Sequence, residues 1–167
     1  MKIRARAALP LVAVLAAAAL PAASQAGSAA EASPAGLPQR LCAKSFDRAV
    51  DAYVQTTHDR DVDGFAAVLH EDVTAVFADG GVLYGKDQTM GFIERFFAAP
   101  GWTQTFTELT REVRGCGTGF VLFDSVYTPA PDAPGEPLVI GVTFVFERGR
   151  WLALHNQDSI GPASGAR

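Results

Sequence analysis

From residue 103 to residue 159 the chain is a succession of four stretches with strand character, at 103–114, 120–128, 138–147 and 151–159. They are broken only by GCGTG, by the proline-rich PAPDAPGEP and by RGR. A parallel crossover needs a dozen or more residues, whereas consecutive antiparallel strands need only a tight turn. Connectors this short predict a meander, in which each strand pairs with the next. Such a sheet must bury its apolar face against something, and this half of the sequence holds no helical periodicity to supply the cover. The cover has to come from the first half.

Helical spacing is present there. Phe46, Ala49, Val50, Tyr53 and Val54 recur on one face behind Ser45, a suitable N-cap, with Asp47, Arg48, Asp51 and Gln55 opposite. In DVDGFAAVLH, Asp61 is placed to cap a short helix whose apolar face is Phe65, Val68 and Leu69. KDQTMGFIERFFAAPG aligns Met90, Ile93, Phe96 and Phe97 and stops at Pro100-Gly101. Between the last two, VTAVFADGGVLYG reads as a hairpin turning at Asp79-Gly80-Gly81, where glycine accepts positive φ. The predicted class is α+β, with about three N-terminal helices against a mainly antiparallel sheet.

The N-terminus has a different character. Lys2, Arg4 and Arg6 precede an apolar run from Ala7 to Ala19 and a small-residue ending at SQA, the pattern of a secretory signal peptide over residues 1–26. The run is shorter than the roughly 20 residues of a spanning helix, so no membrane span is expected. Cleavage after Ala26 would deliver a secreted or periplasmic chain of 141 residues, the size of one domain. Residues 27–38, GSAAEASPAGLP, lack large apolar groups and are expected to form a flexible tether, extended here to residue 44. The domain is then expected over 45–161 and a disordered tail over 162–167. Without the leader, eleven basic side chains face 18 acidic ones, which argues against a nucleic-acid surface. Cys42 and Cys116 form an even pair in a chain bound for an oxidising compartment; a disulfide is expected, against the alternative of two separately buried thiols.

Chemistry-bearing motifs are few. His58, His70 and His155 are scattered without the spacing of metal ligands, so no metal is expected. No nucleophile elbow, phosphate-binding loop or dinucleotide fingerprint is present, so no cofactor is expected. What stands out is the end of the last strand, where WLALHNQDS passes within one residue from apolar to polar. Trp151, Ala153, His155, Gln157 and Ser159 alternate with Leu152, Leu154, Asn156 and Asp158, and periodicity alone leaves open which set faces inward. Trp102 is a candidate cavity wall or plain core. Asp124 interrupts an apolar strand and could pair with His155 or face water.

AYVQTTHDRDVDGFAAVLHEDVTAVFADGG, LYGKDQTMGFIERFF and FVFERGRWLALHNQDS together resemble the nuclear transport factor 2-like superfamily, within it the SnoaL-like and ketosteroid-isomerase-like branches. The resemblance implies a strongly curved sheet wrapped as a cone around the helices, a pocket for a small apolar or amphipathic molecule, and a homodimer through the outer sheet face. It also implies that the Trp151 set points inward. His155, Gln157 and Ser159 would then line the pocket with Tyr53, Phe77, Trp102 and Asp124. Tyr53 falls where the isomerase branch has a donor to the substrate oxygen, while Phe77 stands where that branch has its carboxylate base. Without that base, proton handling falls to His155 and Tyr53 in a cofactor-free isomerase, cyclase or hydratase. The alternative from another class is a non-catalytic dimerisation or interaction module whose cavity is filled by its own side chains.

Overall fold

The computed structural model describes residues 37–162; the leader, residues 27–36 of the tether and the tail beyond Pro162 lie outside the described residues. The elements in chain order are α1 (Leu37–Asp59), α2 (Val62–Val68), β1 (Leu69–Val76), β2 (Val82–Tyr84), α3 (Gly85–Ala98), β3 (Thr103–Arg114), β4 (Thr118–Thr128), β5 (Glu136–Glu147) and β6 (Arg150–Ile160). Strands run in the order β2-β1-β6-β5-β4-β3. β3 to β6 are the expected meander, every neighbour antiparallel. The sheet gains its last pair through a parallel contact between β1 and β6, which no periodicity in the sequence announces. The result is an α+β fold with a curved, open sheet around three helices. Among the described residues no helix is long and apolar enough to cross a membrane.

The first helix starts eight residues earlier than expected. Gln39, Arg40, Leu41, Ala43 and Lys44 are good helix formers, and Pro38 sits in the first turn, where a missing N–H costs nothing. Ser45 is therefore interior and not a cap: its Oγ donates to the Cys42 carbonyl at 2.8 Å and accepts from Trp151 Nε1 at 3.0 Å. Cys42 and Cys116 form a disulfide with Cα atoms 5.5 Å apart, tying α1 to the turn between β3 and β4. Asp61 caps α2 as expected, accepting from Gly64 N–H at 3.0 Å. The turn at Asp79 closes as expected too, with Gly81 N–H donating to its carboxylate at 2.9 Å.

The core lies where α1 crosses the inner face of the sheet. Phe46, Val50, Tyr53 and Thr57, one face of α1 at helical spacing, are all buried. Phe46 is fully enclosed, its ring 5.4 Å from Phe144 and 5.0 Å from Trp151, centroid to centroid. Gly119 on β4 makes that close approach possible, because a Cβ there would overlap the Phe46 ring. Gly119→Ala is therefore expected to destabilise the domain by about 1–3 kcal/mol through overpacking. Denaturant unfolding checks this, and an unchanged midpoint would mean that Phe46 has room to move.

Candidate functional site

Beyond Phe46, toward the open end, helices and sheet separate and enclose a cavity of about 510 Å³. Every strand but β2 and all three helices contribute to its apolar wall, with aromatic side chains from the helices, the loop after β1, β3 and β4. Phe77 and Phe92 stand with ring centroids 4.8 Å apart in this wall. Three polar groups from α1 and β6 join across it. The Tyr53 hydroxyl donates to Asn156 Oδ1 at 3.0 Å, and Asn156 Nδ2 donates to Asp158 Oδ1 at 2.8 Å. Both bonds agree on the orientation of the Asn156 amide, its oxygen toward the phenol and its nitrogen toward the carboxylate.

Asn156 and Asp158 are not the residues expected there. Register along β5 and β6 explains the difference: Phe144 pairs with Ala153 but Thr143 pairs with His155, so β6 holds one extra residue, Leu154. A bulge of this kind moves every later side chain to the opposite face. Trp151 and Ala153 face the core as expected, but beyond Leu154 the inward positions are Asn156 and Asp158, paired with Val142 and Ile140. His155 shares an outer row with Thr143 and Phe120, and Gln157 one with Gly141 and Leu122. Ser159, Val139, Asp124 and Thr107 form another outer row. None of His155, Gln157, Ser159 or Asp124 lines the cavity. Trp102 is also outside it: its indole stacks on Phe96 at 4.3 Å and donates to the Phe96 carbonyl, forming a second layer. Of the residues expected in a pocket, Tyr53 and Phe77 line this cavity.

The electrostatics of the polar chain follow from its burial. Removal from water penalises the charged form, so the Asp158 carboxyl is raised above its ordinary value of 3.8, against the opposing hydrogen bond from Asn156. Tyr53 is raised as well, first by burial and then by the charge of Asp158, so its hydroxyl stays protonated and acts as a donor. The site thus holds a carboxylate made more basic and a neutral phenol, bridged by one amide. Among the described residues, no three His, Cys, Asp or Glu side chains come together as a metal site.

A family model for the SnoaL-like domain matches residues 50–154, and the chain belongs to that family. No curated protein sequence matches it. Among solved structures, it is similar to an NTF2-like protein of unknown function from Pseudomonas putida KT2440, with TM-score 0.65 and 18% identity over 75% of this chain and 91% of the other. A candidate dehydratase of the NTF2-like family from Streptomyces avermitilis gives TM-score 0.64 and 15% identity over 74% and 99%. An uncharacterised protein with a cystatin-like fold from Caulobacter vibrioides gives 0.65 and 17% over 75% and 94%. At these identities the likeness is one of fold.

Asp158 also leaves a signature in stability. Its folded-state pKa lies above the unfolded one, so the native state holds more protons between the two values. The group's favourable contribution is complete below about pH 4 and is lost as pH rises through the raised pKa. Asp158→Asn keeps an acceptor for Asn156 and removes the buried charge. It is expected to melt higher than wild type at pH 7, with the gain vanishing near pH 3.5. Parallel melting curves at the two pH values check the sign, and a variant less stable at pH 7 would contradict it.

Proposed function

We propose that this chain is an exported domain that binds a small apolar or amphipathic molecule in the cavity, where Asp158 transfers a proton on it without a cofactor. The observation that carries this is the Tyr53–Asn156–Asp158 chain opening into a roomy, aromatic cavity. Ligand pockets combine an apolar wall with a few convergent polar groups and a perturbed titratable side chain. A volume of about 510 Å³ is within the range of such pockets and weighs against a module whose cavity is filled by its own side chains.

Asp158, partly desolvated, is the stronger base for its burial and takes a proton from an acidic C–H or a hydroxyl of the ligand. Tyr53 cannot serve as that base. Its phenol donates toward the oxygen on which negative charge develops, taking over the direction in which it now meets Asn156. Asn156 holds both partners at fixed angles. Asp158 so replaces His155, the proton carrier that the family resemblance implied, and the chemistry suits an isomerase, cyclase or hydratase.

Export is supported by the leader pattern and by the Cys42–Cys116 disulfide, which persists in oxidising compartments. Half-buried Phe120, Leu122, Val139 and Val145 on the outer sheet face support a homodimer, since a second copy would cover them.

Native mass spectrometry of the purified protein tests the binding, with Ala75→Trp as the variant that fills the cavity wall. A retained small organic mass on wild type, absent from Ala75→Trp, is expected; equal occupancy in both would contradict it. Asp158→Asn should still bind that molecule, if more weakly, and lose at least about a hundredfold in its conversion, the usual scale for removing a positioned acid–base group.

A further inference from the structure

The charged side chains of the cavity are all of one sign. Asp79 and Glu136 are exposed, and Asp158 lies deeper beside Asn156, while among the described residues no Lys, Arg or His lines the cavity. The basic side chains Arg60, His58 and Lys86 are committed elsewhere. Arg60 lies over the Trp102 ring, 4.6 Å from its centroid, and donates to the Ala99 and Trp102 carbonyls. His58 Nε2 is held against the Gln104 carbonyl at 3.1 Å, and Lys86 pairs with Glu71 at 3.0 Å.

Eight of the lining side chains are aromatic, and the acids sit among them. Glu136 pairs across the ladder with Tyr127, whose ring is 5.8 Å from Phe96. Asp79 follows Phe77 and Ala78 at the turn, held there by one carboxylate oxygen on Gly81 N–H. Aromatic faces attract cations and repel anions through their quadrupole. A ligand carboxylate would be desolvated beside three acids with no cation to pair, the costly case for a buried charge. A neutral ligand would leave the three acidic groups without a complementary charge.

On the basis of the binding proposed above, we infer that the cavity selects a lipophilic amine, its protonated nitrogen drawn by the field of the acidic side chains that line it, Asp79, Glu136 and Asp158, and its apolar body packed among the aromatic rings. The formal charge of the whole chain, −4, has the sign that favours encounter with such a ligand.

Isothermal titration with 4-phenylbutylamine, 4-phenylbutan-1-ol and 4-phenylbutanoate, which share one apolar body, separates charge from shape. The amine is expected to bind at least about tenfold more tightly than the alcohol, on the scale of one cation–π contact with partly screened ion pairs, and the carboxylate more weakly than either. In Asp79→Asn/Glu136→Gln, two exposed positions, the preference for the amine should shrink by about threefold or more. Asp158→Asn should shrink it further. Alcohol binding equal to or tighter than amine binding overturns the charge assignment and leaves the cavity as a neutral apolar site. So does an amine preference that all three substitutions leave intact. Failure of all three compounds to bind overturns the cavity's ligand-binding role, and the inference with it.

Discussion

Between Ala153 and His155 the last strand carries one residue more than its neighbour, and the pairing of β5 with β6 absorbs it at Leu154. β1 shifts at the same point, with Leu69 opposite Ala153 and Thr74 opposite His155. Without the extra residue, strict alternation would carry His155 and Gln157 into the cavity and leave Asn156 and Asp158 on the outer face. The irregularity sits where the sheet passes from packing against Phe46 and Trp151 to enclosing space, as bulges commonly do where a side chain must be re-aimed. It converts a core strand into one wall of a site within a single residue.

The chemistry of the three groups thus assembled depends on the low polarity around them. In water a tyrosine, an asparagine and an aspartate would exchange partners freely. Withdrawn from water in the cavity wall, they polarise one another and become costly to leave unpaired. Burial holds Tyr53 in its neutral form and makes Asp158 a better base, which separates a donor from an acceptor. The opposite end of α1 is fixed by different means. The disulfide and the Ser45–Trp151 hydrogen bond anchor it to the sheet, so the face bearing Phe46 and Tyr53 keeps one rotation.

Much of the fold was legible in the residues. β3 has the expected bounds, and the meander follows from its short connectors because antiparallel pairing is the only topology they can join. Asp61 and Asp79 act locally, through bonds two or three residues along the chain, and such bonds are visible in sequence. The start of α1 was obscured because small residues and a proline suggest a tether, although proline is at home in a first helical turn. The faces of β6 were missed for a deeper reason. Leu154 is an ordinary strand residue, and the bulge is dictated by neighbours on β1 and β5 that lie far away in sequence. The polarity of HNQDS pointed to the cavity, but the inward face implied by the resemblance was that of His155 and Gln157, whereas Asn156 and Asp158 line it.

The inward orientation of Asn156 is the point on which the site depends, and nuclear Overhauser spectroscopy of isotope-labelled protein addresses it without a ligand. Cross-peaks from the Tyr53 ring protons beside the hydroxyl to the β and side-chain amide protons of Asn156 are the expected result, with none to the imidazole protons of His155. Contacts between Tyr53 and the His155 ring, with Asn156 silent, would contradict the bulge at Leu154 and return the cavity to the alternate face of the strand.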